Sequence, residues 1–263
     1  MSWLRELYNY RYFILTSIVN EFRGRFVRSR LGAAWMILNP LAQVVIFAFI
    51  LSTVLAAKLP GIDNKYAYAI YLMAGTVGWT LFAEIFSRCL TVFIDNGNTM
   101  KKLVFPKITL PVIVAGSALV NNVLLLVSVI VIFALLGHTV SLAILWLPVV
   151  MIVTIAFALG LGLFFGVLNV FIRDIGQVMQ IILQIWYWFT PVVYMESILP
   201  KGYGKYIALN PMYPIISAYH NILVFQKAPN MTGLAIVGCI SAGLLLLAVF
   251  VFRRASAEMV DVL

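Results

Sequence analysis

The chain has 263 residues, of which 63% are hydrophobic and only 10% are charged, and its mean hydropathy is +1.05. Ordinary soluble domains are about 45–50% apolar and about a quarter charged, so this composition excludes a water-soluble protein and predicts one that crosses a membrane several times. The net charge of +9 does not indicate nucleic-acid binding, because the basic residues cluster beside the hydrophobic segments, as the positive-inside rule requires.

Residues 1–32 form a basic and aromatic arm with six arginines in its first thirty positions. Apolar residues recur along the arm at steps of three and four, a spacing that predicts an amphipathic helix lying on the membrane surface. These residues are Leu4, Leu7, Tyr8, Ile14, Leu15, Ile18, Phe22 and Phe26. An ordinary helix packed on a partner is the alternative. The arm is too charged to contain the apolar core of a signal peptide, so we expect no cleavable one.

Residues 33–263 are predicted to form one transmembrane domain with six spans, since each span needs about 20 mostly apolar residues. The spans lie near 34–57, 67–90, 108–136, 142–171, 176–195 and 232–252. Glu84 and Arg88 fall near the end of the second span, four residues apart. On a helix they can pair at the membrane interface, with a functional charge inside the membrane as the alternative.

Small and polar residues inside the spans indicate how the helices pack. Asn121 and Asn122, in the third span, must face protein or water, and a hydrogen bond between helices is the expected role. Gly162 and Gly166 give the fourth span a Gly-x-x-x-Gly face, which is typical of close helix packing.

The distribution of lysine and arginine predicts the orientation. With the N-terminus in the cytoplasm, thirteen of these 18 residues lie on the cytoplasmic side and five lie outside. This asymmetry favours a cytoplasmic N-terminus and a cytoplasmic C-terminus. The external stretch 196–231 contains apolar runs too short to span, interrupted by proline and glycine. We predict short re-entrant helices there, between spans five and six.

The loop between the second and third spans begins with residue types that cap helices and reaches Pro106, which stops a helix. We predict a short helix over about 95–106 that docks in a groove of a soluble partner. The contact residues are expected to be Met100, Leu103, Val104, Phe105 and Pro106. A membrane-surface turn with Phe105 anchored in lipid is the alternative.

The sequence shows no catalytic motif. It has no Gly-x-x-x-x-Gly-Lys-Ser/Thr loop for phosphates, no zinc-type cluster of histidine and cysteine, and no Gly-x-Ser-x-Gly nucleophile. We therefore predict no catalytic, cofactor-binding or metal-binding residue. The chain is expected to be a conduit that takes its energy from another protein.

Five short motifs, in chain order, resemble the permease subunits of ABC transporters that export polysaccharides, and most closely those of O-antigen exporters. They are Arg28-Ser29-Arg30-Leu31-Gly32-x-x-Trp35 with Asn39-Pro40-Leu41, Phe105-Pro106-Lys107 with Leu110-Pro111, Phe171-Ile172-Arg173-Asp174-Ile175, Thr190-Pro191-Val192-Val193-Tyr194, and Asn210-Pro211-Met212-Tyr213-Pro214. The resemblance covers residues from about 20 to 215. Phe26 is a mild departure, since tyrosine is commoner there in the family.

The resemblance implies a homodimer of six-span subunits in the bacterial inner membrane, with a polysaccharide channel at the dimer interface. It also implies two copies of a separate ABC ATPase subunit, which would bind ATP and Mg, so we expect this chain to be a transport subunit without a cofactor. The substrate would be a glycan attached to undecaprenyl diphosphate. A permease for drugs or small lipids, and a membrane enzyme acting on lipid-linked sugars, are the alternatives.

Candidate substrate contacts follow from that implication. Sugar rings present apolar faces to aromatic side chains, and a sliding glycan needs many weak contacts. The channel candidates are Trp35, Trp186, Tyr187, Trp188 and Tyr194. An aromatic belt at the membrane interface is the alternative for these residues. Arg25, Arg28 and Arg30 are candidates for the lipid diphosphate, with anchoring to anionic headgroups as the alternative.

Overall fold

The computed structural model describes residues 8–26, 67–102, 105–139, 141–195, 204–256 and 258–262, together with the single positions 35, 38, 42 and 46. The helices in these ranges are α1 (Arg11–Phe26), α2 (Ala67–Asp95), α3 (Gly97–Lys102), α4 (Thr109–Leu135), α5 (Leu147–Phe171), α6 (Asp174–Phe189), α7 (Gly204–Ala208), α8 (Met212–Leu223), α9 (Met231–Ala255) and α10 (Glu258–Val262). A 3-10 turn, Leu142–Trp146, leads into α5. The predicted all-helical class is confirmed for the described residues.

Among the described residues, four helices are long and apolar enough to cross a membrane: Ala67–Asp95, Thr109–Leu135, Leu142–Phe171 and Met231–Ala255. Their most apolar windows have mean hydropathies from 1.5 to 2.8. Large apolar side chains on them, such as Val131, Ile152 and Leu246, are exposed, as expected where lipid covers a protein surface. These helices confirm the predicted second, third, fourth and sixth spans of a multi-pass membrane protein.

The other two predicted spans have different outcomes. The first, 34–57, lies outside the described residues apart from four single positions. The fifth, 176–195, contains a helix, but α6 ends at Phe189 after 16 residues. Such a helix is about 24 Å long, short of a hydrocarbon core of about 30 Å. It ends because Pro191 cannot continue it and favours an extended backbone at the preceding residue, Thr190.

Close helix contacts hold the bundle together, and α5 packs against both α2 and α9. A Cβ on Gly162 would lie 2.7 Å from the Cβ of Cys89, and one on Gly166 would collide with the Cys89 carbonyl oxygen. Only glycine allows this approach, so the predicted packing face is confirmed. On α4, Asn122 Nδ2 donates to the Val77 carbonyl oxygen of α2 at 2.8 Å, which confirms a hydrogen bond between these helices.

The predicted external segment contains two short helices, α7 and α8, while residues 196–203 lie outside the described ranges. α8 packs against α2 and α5. Its His220 stacks on Tyr71 of α2 with ring centroids 3.7 Å apart, and its buried Tyr219 lies over Gly78. At twelve residues α8 is too short to cross a bilayer, yet it is buried within the helical bundle.

Candidate coupling segment and translocation groove

The helix predicted in the N-terminal arm is present as α1, which packs against α4. Ile14 is buried, and Ile18 meets α4 at Gly116, where a Cβ would collide with its side chain. The inward face differs in part from the predicted one, because Leu15 is exposed. The position of α1 on the membrane surface stays a prediction.

The short helix α3 falls inside the predicted coupling segment, 95–106. Met100 is buried, and its backbone N–H donates to the Asn96 carbonyl oxygen at 2.9 Å. Leu103 and Val104 lie outside the described residues. The Pro106 carbonyl oxygen then accepts hydrogen bonds from Thr109, at 2.9 Å from its N–H and 2.7 Å from its Oγ1. These bonds lead the chain directly into α4.

Two longer-range contacts hold the end of this segment. The half-buried Phe105 lies against Phe13 of α1, with ring centroids 5.9 Å apart. Lys107 Nζ donates to the Ser256 carbonyl oxygen, just after α9, at 2.6 Å. The segment is therefore attached to both α1 and the C-terminal region. Docking of an ATPase on Met100, Leu103, Val104, Phe105 and Pro106 stays a prediction.

An ionic cluster joins α1, α2 and α4. Arg88 Nη1 lies 3.5 Å from Glu84 Oε1, which confirms the predicted pair four residues apart on α2. The other end of the guanidinium, Nη2, pairs with Glu21 of α1. Asn121 Nδ2 of α4 donates to Glu84 Oε1 at 2.8 Å. Glu21 lies between the apolar positions of the predicted arm helix, and its spacing gave no sign of this partner, which lies 67 positions away.

The three neighbouring aromatic residues near the end of α6 face different surroundings. Trp186 packs inside the bundle, its ring centroid 5.3 Å from that of Phe82 and 6.1 Å from that of Phe157. Trp188 is 66% exposed. Tyr187 lies between these environments, with its ring centroid 5.3 Å from that of Trp79 on α2.

An open groove of about 340 Å³ runs between α2 and α6. It is lined by Trp79, Gln180, Leu183, Gln184, Tyr187 and Trp188. One of the lining amides is also bonded to α2, since Ser87 Oγ donates to Gln180 Oε1 at 3.4 Å. The groove therefore combines aromatic rings with neutral amides, which are the two kinds of side chain that contact a sugar ring and its hydroxyls.

Asn210 fixes one end of the groove helix and was not singled out from the sequence as a site residue. Its Oδ1 accepts hydrogen bonds from Trp186 Nε1 at 2.8 Å and from the Met212 N–H at 3.0 Å. Its Nδ2 donates to Thr190 Oγ1 at 2.9 Å. One side chain thus joins the end of α6 to the beginning of α8. The Asn210-Pro211 motif gave the only sequence signal.

The remaining site candidates, Tyr194, Trp35 and the three arginines, are not among the residues that line the groove. The Tyr194 carbonyl oxygen accepts a hydrogen bond from Tyr71 Oη at 3.2 Å, which ties the chain after α6 to α2. Trp35 is 45% exposed. The side chain of Arg25 and the whole of Arg28 and Arg30 lie outside the described residues. The roles assigned to all of these residues stay predictions.

Comparison with known proteins gives the chain a family. Residues 12–224 match the membrane domain of the ABC-2 type transporters. The O-antigen export system permease protein RfbA of Myxococcus xanthus is 25% identical over 260 residues, which is 98% of each chain. A protein of the same name from Klebsiella pneumoniae is 28% identical over 220 residues, or 82% of each chain. The polysialic acid transport protein KpsM of Escherichia coli is 25% identical over 203 residues, 75% of this chain and 76% of that protein.

The matched region begins in α1, includes the coupling segment and the groove, and ends just after α8. It covers well over half of the 263 residues. The resemblance inferred from the five motifs is thereby confirmed, and the helical bundle agrees with it. The chain belongs to the ABC-2 type transporter family of membrane permeases.

Proposed function

We propose that the chain is the channel-forming subunit of an ABC transporter that exports an O-antigen type polysaccharide, carried on undecaprenyl diphosphate, across the bacterial inner membrane. The observation that carries this proposal is the groove between α2 and α6, where aromatic rings and amides lie side by side. Aromatic rings pack on the apolar faces of sugars, while amides bond to their hydroxyls. Family membership and the names of the Myxococcus and Klebsiella relatives support the same function.

Energy would come from two copies of a separate ABC ATPase, which binds ATP and Mg and docks at α3 and residues 103–106. The attachment of this segment to α1 through Phe105 and to the end of α9 through Lys107 supports the assignment. A displacement of the segment by the ATPase would be transmitted to α1 and α9 through these contacts. This chain would then act as a transport subunit rather than an enzyme.

The proposed arrangement is a homodimer of six-span subunits with both termini in the cytoplasm. Apolar residues on α6, including Ile181 and Phe189, are exposed in the single subunit, which leaves them available to lipid or to a second copy. We assign α7 and α8 to re-entrant helices at the external side, since α8 is short yet buried. Arg25, Arg28 and Arg30 would bind the lipid diphosphate or anionic headgroups, and no nucleic acid is involved.

Deletion of the gene in a cell that carries the chain and its ATPase tests the function directly. Surface polysaccharide should disappear and lipid-linked glycan should accumulate in the cytoplasm, and re-expression should reverse both changes. An ATPase variant that cannot hydrolyse ATP should reproduce the deletion. Normal surface polysaccharide in the deletion strain would refute the proposal, and loss of drug or lipid efflux instead would favour the alternative permease.

A further inference from the structure

A stripe of neutral polar residues runs along α6 and opens into the groove. Its members are Gln177, Gln180, Gln184 and Tyr187. They lie on one face because residues three and four apart on a helix are neighbours. The buried face of α6 carries Met179 and Leu183, and an exposed apolar face carries Ile182 and Ile185. The stripe therefore lies between the protein core and the surface suited to lipid.

The amides on this stripe are available for an external partner. Gln177 and Gln184 are exposed, and neither side-chain amide makes a hydrogen bond to the residues that the structure describes. Gln180 Oε1 accepts a hydrogen bond from Ser87 Oγ, and its Nε2 donates to none of those residues. An amide without a partner is costly in hydrocarbon, so polar residues within membrane proteins face a protein interior or a water-filled cavity. In the assembled transporter, these amides must meet water or polar groups beyond the part of the subunit that the structure describes.

The groove carries no ionised side chain of its own. All six of its lining residues are neutral, and two of them are glutamines. Residues 175–195 contain no Asp, Glu, Lys or Arg. Arg88 follows Ser87 on α2, but its guanidinium is paired with Glu21 and Glu84. A polyanion moving through such a path would lose water without gaining a cationic partner, which is strongly unfavourable.

Building on the proposed function, we infer that the exported glycan is uncharged, and that the amides of Gln177, Gln180 and Gln184 exchange hydrogen bonds with its hydroxyls. An amide both donates and accepts, as a hydroxyl does, so one sugar can replace the next at the same contact as the glycan slides. Family membership leaves the charge of the substrate open, since the relative KpsM is named for polysialic acid, an anionic polymer. For this chain, the neutral amides of the stripe favour an uncharged substrate.

Opposite charges at one position of the groove test the inference whichever sugars the glycan contains. The variants are Gln184→Glu and Gln184→Lys, expressed with the partner ATPase in the deletion strain described above. The measurement is the cell's own surface polysaccharide at equal permease abundance. For an uncharged glycan, the two variants should export within about twofold of each other, because such a glycan attracts neither the positive lysine nor the negative glutamate in preference to the other. An advantage of about tenfold or more for lysine over glutamate would show a polyanionic substrate and overturn the inference.

Three further variants separate substrate contact from assembly. Gln184→Leu should lower export several-fold, whereas Gln184→Asn, which keeps an amide, should retain most of it. Ile182→Leu, on the apolar face of α6, should export normally. Export at wild-type level in Gln184→Leu, or loss of the assembled dimer in that variant, would refute a contact between the amide and the glycan. Unchanged surface polysaccharide after gene deletion would instead refute the proposed function itself.

Discussion

Replacing Asn210 with alanine tests how the end of the groove helix is fixed. The substitution removes four hydrogen bonds: three of 2.8–3.0 Å, to Trp186 Nε1, Thr190 Oγ1 and the Met212 N–H, and a longer one of 3.4 Å to the Phe189 carbonyl oxygen. Each contributes about 0.5–1.5 kcal/mol net, and the half-buried indole N–H of Trp186 is left without its acceptor. We therefore expect the free energy of unfolding to fall by about 2–4 kcal/mol.

Asn230 provides a matched control, because the same change there removes bonds at one helix end only. Its Oδ1 accepts from the Thr232 N–H at 3.1 Å and the Gly233 N–H at 3.3 Å, at the exposed beginning of α9. Loss of such an N-terminal cap costs about 1 kcal/mol. Asn230→Ala should thus be less destabilising than Asn210→Ala by about 1–3 kcal/mol.

Denaturant titration of the purified protein in detergent micelles, followed by tryptophan fluorescence, measures both losses. Asn210→Asp should fall between wild type and alanine, because it keeps an acceptor for Trp186 but loses the donor to Thr190. Export by Asn210→Ala should also drop, since the same helix carries Tyr187 and Trp188 of the groove. A loss of stability no larger than that of Asn230→Ala would refute the role given to Asn210.

Three other changes test the coupling segment, the packing and the topology. Phe105→Asp should lower export at least about tenfold with normal membrane insertion, because it removes an apolar contact residue of the coupling segment; a normal export rate would remove that assignment. Gly166→Ala should destabilise the protein by about 1–3 kcal/mol, and Gly238→Ala, with open space around it, should not. Cysteines introduced at 139 and 98, which are both exposed on the subunit, should differ in labelling by an impermeant thiol reagent added to intact cells, in a cysteine-free background, with only 139 reacting; labelling at 98 would overturn the proposed orientation.

Features that depend on local spacing could be predicted from the sequence. Four spans follow from runs of apolar residues, and the Glu84–Arg88 pair follows from the four-residue step of a helix. The Gly162 and Gly166 face follows from the same step. These inferences needed only the geometry of one helix.

Features that depend on contacts between distant segments could not be predicted in the same way. Glu21 is a polar residue of the arm, which spacing alone would place away from the protein, but it pairs inward because Arg88 and α4 lie opposite. Trp186, Tyr187 and Trp188 were all named as channel candidates, and since neighbours on a helix point about 100° apart, only some of them can face the groove. The partners that decide which ring faces the groove, Phe82 and Trp79, belong to another helix. Sequence spacing therefore defined the candidates but not their surroundings.

The helix α2 connects every part of the proposed mechanism. It runs without a break for 29 residues, about 43 Å, and leads directly into α3 and the coupling segment. Along its length Arg88 holds α1, Trp79 lines the groove, and Tyr71 contacts the external helix α8. Because α2 is buried and continuous, a displacement at its coupling end should move these contacts together rather than bend the helix. The groove and the external helices would then respond to the ATPase through one rigid element.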